Sequence, residues 1–331
     1  MNRKKFIYSG LGSLAIPLLF NNNFLVAREK YTRKIRIGII GLDSTHALAF
    51  TKAIQQGVIK DFENDFTVVA AYPYGSKSIP LSIQRIPKFT AEIESLGVKV
   101  YQKIEEVLDN VDAVLLETND GNLHLEQALQ IIKRRKPLFI DKPIANSLED
   151  AIKIFKAASK YNCLVFSTSS LRYLEGISTL DLSKVKGSEV YTPAHTEPSH
   201  KDLYWYGIHG VEMLIAIMGA DCISVRTIEG IDSSLYIGTW SDGRVATLRG
   251  IRKGKDDFGG TVFLEDEIIT LGKFQGYNLL LYEILKFFKT KIIPVDPTQT
   301  LAICAFIDAA TESKELGGKE ILLKDIKKAL E

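Results

Sequence analysis

The sequence predicts an N-terminal α/β unit, a doubly wound parallel sheet of Rossmann type, followed by an α+β unit on a large, mostly antiparallel, open-faced sheet. Three observations carry this. The chain has 331 residues, 46% hydrophobic and 25% charged, enough for two domains with cores of their own. From Lys34 to about residue 170, short apolar runs alternate with helix-like segments, as in βαβ units. After Leu171 the strands become long and follow one another directly. The expected domains are therefore residues 31–170 and 171–331, with residues 1–27 separate from both.

Taken in order, Lys34–Gly41 (KIRIGIIG) is a β-branched apolar run ending in glycine, hence a buried strand. A helix is expected over Thr45–Gly57, with Ser44 or Thr45 as its N-cap. Phe66–Tyr72 is the second strand, and Pro73, Gly75 and Pro80 mark a loop after it. A helix near Thr90–Leu96 and a short strand at Val98–Tyr101 follow, then a helix at Ile104–Asp109. Asp112–Thr118 is the fourth strand. Leu123–Arg135 is a helix with Leu125, Ala128, Leu129 and Ile132 on one face. Pro137–Ile140 is the fifth strand, Leu148–Tyr161 a helix, and the run from Cys163 the sixth strand. In the second half, six strand-like runs lie between Glu189 and Leu271, with Asp242-Gly243 as a hairpin turn. A helix is expected near His209–Met218, and two more at Asn278–Lys289 and Thr300–Glu315.

Residues 1–27 have the layout of a signal peptide. Arg3, Lys4 and Lys5 precede an apolar run, Leu11–Phe20, which is shorter than the roughly 20 residues needed to cross a bilayer. Asn2–Ile7 resembles a twin-arginine signal with Lys4 replacing the second arginine. Export to a periplasm is the expectation, with no stable membrane insertion after processing; a cytoplasmic protein with a buried N-terminal helix is the alternative. A formal charge of +2 without a basic, aromatic-studded stripe argues against a nucleic-acid partner. Cys163, Cys222 and Cys304 are far apart and form no CxxC, so three buried free thiols are expected.

Several motifs then coincide in order: IGIIG on the first strand, His124-Leu125-Glu126-Gln127-Ala128, Asp141-Lys142-Pro143 after the fifth strand, Ser170-Leu171-Arg172, Gly207-Ile208-His209, and Ala309–Ser313 ahead of Gly317-Gly318. This series resembles the Gfo/Idh/MocA family, the relatives of glucose–fructose oxidoreductase and inositol dehydrogenase. The resemblance implies a nucleotide-binding first domain and a second domain for substrate binding and oligomerisation, making a homo-oligomer through the open sheet. It implies an NAD- or NADP-dependent oxidoreductase acting on a sugar, cyclitol or related polyol. It also implies that Lys142 takes or relays the hydroxyl proton, that His209 is catalytic, and that the Lys142–Pro143 bond is cis.

The residues support that chemistry in part. Oxidation of a secondary alcohol removes a hydride and a proton, and a strand-end lysine with a lowered pKa can accept the proton. Read without the resemblance, Lys142 is better taken as a solvated strand-end lysine; the resemblance favours the functional role. His209 and Glu212 share a helix face, so Glu212 is expected to orient the imidazole. The family's aspartate four residues before the histidine is Trp205 here. Trp205 and Tyr206, with Tyr204, suit a sugar ring or plain packing; Arg172, Glu197, His200 and Glu212 are the other substrate-side candidates. His195, Glu197 and His200 match no trusted metal motif, so no metal is expected.

The cofactor-reading segments depart from the pattern. Aligned on Gly41, a G-x-G-x-x-G loop would have glycine at Asp43 and His46. An ionised Asp43 repels a pyrophosphate unless it turns away, whereas Ser44, Thr45 and the helix N-terminus favour one. The second strand ends without the acid that holds an NAD ribose; Ser76 and Lys77 instead suit a 2′-phosphate and favour NADP. Thr118, Asn119, His124, Asp141 and Lys142 complete the cofactor-side candidates. Two other readings stay open: a lyase or hydrolase on a glycoside that retains its cofactor, and a non-catalytic sugar-binding protein on a former dehydrogenase fold.

Overall fold

The structure is a computed structural model and describes residues 33–323; the expected signal peptide lies outside the described residues. The first half builds six strands, β1 (Ile35–Ile40), β2 (Phe66–Tyr72), β3 (Lys99–Val100), β4 (Ala113–Leu116), β5 (Leu138–Ile140) and β6 (Val165–Ser167). All pair in parallel, in the order β3-β2-β1-β4-β5-β6. Near-continuous burial along β1, β4, β5 and β6 explains their unbroken apolar runs, since both faces of such a sheet are covered. The covering helices are α1 (Thr45–Gln55), α2 (Pro80–Ser95), α3 (Ile104–Leu108), α4 (Gly121–Lys133) and α5 (Leu148–Tyr161). Ser44, Asp120 and Ser147 cap α1, α4 and α5.

One boundary differs plainly from the sequence expectation. Pro80 opens α2 rather than marking a loop, so the helix starts ten residues before Thr90. Proline is well placed there, because its fixed φ suits the first helical turn and its missing N–H has no partner to lose.

The second half follows with β7 (Val185–Pro193), α6 (Asp202–Trp205), α7 (Ile208–Met218), β8 (Cys222–Glu229), β9 (Ser233–Trp240), β10 (Val245–Ile251), β11 (Gly259–Leu264) and β12 (Ile268–Thr270). The helices α8 (Asn278–Thr290) and α9 (Pro297–Glu315) and the short β13 (Ile321–Leu322) complete it. Its seven strands run β12-β11-β7-β10-β9-β8-β13, antiparallel except for the β7–β10 pair. The β9–β10 hairpin turns at Asp242-Gly243, where Gly243 has φ +86°. β9 alternates buried and half-exposed residues, and α7 and α9 cover one face of this sheet. By contrast, α8 returns to the first sheet, where Leu280, Ile284 and Phe287 share a core with Ile37, Phe139 and Phe166. Both sheets thus lie in one compact unit. The three cysteines are buried and free, and burial pushes each thiol up to about 12.

Candidate active site

The strand order reverses at β1, with β2 on one side and β4 on the other, and ligands of such sheets bind beyond the carboxyl ends at that point. The loop after β1 starts at Gly41, whose φ is +96° and where an added Cβ would lie 2.3 Å from the Thr118 backbone nitrogen. Only glycine fits. The next departure, Asp43, is fully buried. It accepts the Ser76 N–H at 3.2 Å and the Asn119 N–H at 2.9 Å, stapling the loop to the ends of β2 and β4. Burial pushes its carboxyl above the usual range, while those N–H groups pull it back. Asp43 has therefore turned away from the outer surface of the loop. Ser44 Oγ accepts the Ala47 N–H at 3.3 Å, and Thr45 stands exposed at the start of α1.

His46 occupies the position of the third motif glycine. Its Nδ1 lies 3.0 Å from Asp141 Oδ1, and its ring stacks on Phe50 and meets the edge of Tyr277. Burial works to raise the Asp141 carboxyl, but His46 and Lys142 outweigh it and hold it at about 2. Glu117, at the end of β4, is also wholly buried. Burial, then Asp141, push its carboxyl well above the usual range, against the pull of Lys142 and Ser44. His46, Glu117 and Asp141 present ligand-type atoms within 4.8 Å of one another.

Of these groups, His46 and Asp141 border a cavity of about 200 Å³. The first sheet contributes Ser44, Thr45, His46, Asn119, Asp141 and Lys142; α7 and the segment before it contribute His209, Trp205 and Tyr206. Phe258, Phe274 and Tyr277 form an aromatic wall, while Arg85 of α2 and Ser170 add polar edges. The Lys142–Pro143 bond is cis. His209 Nδ1 lies 2.6 Å from Ser169 Oγ, leaving Nε2 for the cavity. Burial, with Lys142 and His46 adding to it, holds His209 well below the ordinary histidine range, so it is neutral near neutrality.

Several residues expected at the site are engaged elsewhere. Glu212 does not orient His209: it binds Thr168 and the Arg172 guanidinium, which also reaches Gln299. Ser169 takes that orienting place. His124 is fully buried, with Nδ1 2.7 Å from the Pro143 carbonyl and Nε2 2.6 Å from the Thr118 carbonyl, so it clamps the loops behind the cavity rather than facing it. Thr118 packs beneath Gly41. His200 Nε2 accepts the Gly121 N–H at the start of α4, and Glu197 accepts from Ser199 beside it. His195 pairs with Asp256 at the surface, so His195, His200 and His209 do not converge. Ser76 is buried against Asp43 and Ser78, and Lys77 is exposed near the Tyr74 ring, so neither borders the cavity. The sequence reading missed Glu117, Ser169, Arg85 and Tyr277; of these only Glu117, an acid ending an apolar strand, carried a signal.

Residues 35–169 match the GFO_IDH_MocA model, described as an oxidoreductase family with an NAD-binding Rossmann fold. An uncharacterized oxidoreductase of Streptococcus pneumoniae is 30% identical over 86 residues, which are 25% of this chain and 23% of that protein. The fold resembles myo-inositol dehydrogenase of Lactobacillus casei, solved with NAD(H) and myo-inositol: TM-score 0.69, 15% identity, 88% of this chain and 97% of that one. It equally resembles the UDP-N-acetylglucosamine 3-dehydrogenase GnnA of Acidithiobacillus ferrooxidans, with TM-score 0.69 and 16% identity over 86% of this chain and 99% of the other. The likeness to this oxidoreductase family extends over residues 35–169, which carry the parallel sheet and the loops of the cavity, and the chain spans less than a quarter of the curated relative it matches.

Proposed function

We propose that this protein is an NAD(P)-dependent oxidoreductase that acts on a secondary alcohol carbon of a sugar, cyclitol or related polyol. The observation that carries the reading is the convergence of Lys142 and His209, from different halves of the chain, on one aromatic-walled cavity. At about 200 Å³ the cavity is below the roughly 300–1,000 Å³ of drug-sized pockets, which suits a single sugar-sized ring.

The residues present fit a nicotinamide cofactor. Gly41 keeps the tight turn, Asp43 is turned inward, and α1 offers a capped N-terminus. Ser44, Thr45 and Asn119 would hold its phosphate and nicotinamide side. A second cavity of about 210 Å³, lined by Tyr72, Tyr74, Gln102 and Leu123, would take the base. The inward placement of Ser76 removes half of the argument for a 2′-phosphate, leaving only exposed Lys77 near Tyr74. When bound, the cofactor supplies the hydride acceptor or donor.

The chain's own part is to hold the alcohol and move its proton. Trp205, Tyr206 and Phe258 offer apolar faces for the C–H side of a ring. Neutral His209, fixed through Nδ1 by Ser169, presents Nε2 to a substrate hydroxyl as acceptor or donor. Lys142 Nζ, on the strand-end loop, takes or relays the same proton. The test is a screen of sugars and cyclitols with NAD+ and NADP+, read at the nicotinamide absorbance. Lys142→Ala is expected to lose turnover while keeping the wild-type melting curve. Undiminished turnover in that variant removes the assignment, and substrate consumption without net cofactor reduction moves the protein to the cofactor-retaining lyase or hydrolase class.

A further inference from the structure

We propose that His46, Glu117 and Asp141 form a binding site for a divalent first-row transition-metal ion on the floor of the cavity. This goes beyond the redox reading and stands independently of it. All three residues are at most 5% exposed, and they come from the first turn of α1 and the ends of β4 and β5. Donors held by one ion at about 2.0–2.2 Å and at right angles lie about 3 Å apart. His46 Nδ1 and Asp141 Oδ1 stand 3.0 Å apart, the spacing of two adjacent ligands, and Glu117 lies within 4.8 Å of both.

A second observation asks for a ligand there. Glu117 Oε1 is buried with no hydrogen-bond partner, and Oε2 has only Ser44 Oγ at 3.5 Å. Buried polar atoms nearly always have a partner, so a carboxylate beside two other donor groups marks a place to be filled. One imidazole and two carboxylates are the donor set of Zn2+, Mn2+ and Fe2+ sites rather than of soft-ligand metals. Three protein ligands leave positions open. His46 and Asp141 border the cavity, so those positions face the substrate space, where an ion would bind an alcohol oxygen and make its proton easier to lose.

Asp141, Asp43, Lys142, Ser44 and His46 are the charged and polar groups that face the Glu117 carboxyl. The test uses the full chain, stripped by chelator dialysis and titrated with Zn2+ and, separately, Mn2+ by calorimetry. One ion per chain, with a higher melting temperature, is expected. Near-isosteric Glu117→Gln and His46→Asn are expected to weaken binding at least tenfold, and His195→Ala to leave it unchanged. Absence of binding, binding that survives Glu117→Gln, or binding lost in His195→Ala overturns the site. Co2+ in the unmodified chain gives a reading that needs no variant. Absorption bands of an imidazole-coordinated ion support the proposal, and the spectrum of aqueous Co2+ overturns it.

Discussion

Replacing Asp43 with glycine restores the residue that the dinucleotide loop pattern expects at that position, yet the structure predicts a less stable protein. The Asp43 carboxylate is the acceptor for two buried backbone N–H groups, from Ser76 and Asn119. Leaving each without a partner costs about 1–3 kcal/mol. The extra freedom of glycine in the unfolded chain adds up to about 1 kcal/mol. The sum is about 2–7 kcal/mol, or a fall in melting temperature of roughly 4–28 °C at about 2–4 °C per kcal/mol for a chain of this size class. Asp43→Asn should lie between, because its amide oxygen can accept one N–H while its NH2 faces the other. A double-mutant cycle isolates the clamp. An alanine Cβ at Gly75 would stand 2.3 Å from Asp43 Oδ2 and 2.6 Å from its Cγ, and the three nearest atoms all belong to Asp43. Gly75→Ala should therefore be costly in the wild-type chain and nearly neutral in the Asp43→Gly background, a coupling above 1 kcal/mol by urea unfolding. An Asp43→Gly protein as stable as wild type, or a Gly75→Ala cost equal in both backgrounds, would refute the reasoning.

The buried Arg172–Glu212 pair predicts a stability effect without a catalytic one. Glu212→Leu should lose about 3–5 kcal/mol by leaving Arg172 unpaired, while kcat per folded molecule changes little; a collapse of kcat at full stability would return Glu212 to the active site. His209 gives a pH prediction. Its folded-state pKa lies well below the ordinary 6.5, so its contribution to stability is present above 6.5 and is lost as pH falls below it. His209→Asn should flatten that part of the stability–pH curve, and an unchanged curve would mean that the imidazole is not buried neutral. Tyr206→Ala should raise KM more than it lowers kcat if the ring binds substrate, whereas an equal fall in both stability and kcat would assign it to packing.

The parallel sheet was legible because strands buried on both faces read as unbroken apolar runs, whereas Lys142 and His209, which both line the cavity, were singled out by the family resemblance and not by any local pattern. The chemistry of the loop was not legible. Asp43 is answered by Ser76 and Asn119, 33 and 76 residues away, and His46 by Asp141, 95 residues away. No local spacing reveals such partners. His124, Arg172 and Glu212 misled for the same reason. A polar side chain near a strand or helix end has the same signature in sequence whether it faces a ligand or satisfies buried groups behind one. Glu117 shows the converse. A carboxylate closing the run DAVLLE needs a partner wherever it lies, and that requirement could have been read from the strand alone.

The departures at 43 and 46 belong to one arrangement rather than to two losses. A glycine-rich loop reaches a pyrophosphate by having no side chains in the way, at the cost of flexibility. In this chain the side chain at 43 points inward, where Gly75 leaves it room, and the one at 46 runs sideways to Asp141 beneath Tyr277. The outer rim, with Ser44 and Thr45 on the cavity, stays clear of both. The loop is thus held in shape by its own side chains before any ligand arrives, which lowers the ordering cost of binding. What these departures add beneath the floor of the cavity is one carboxyl and one imidazole, those of Asp43 and His46, where the glycine pattern has none. A ligand there meets a fixed polar surface, and its affinity should depend on the side-chain contacts that hold the loop more than on the ordering of a flexible glycine turn.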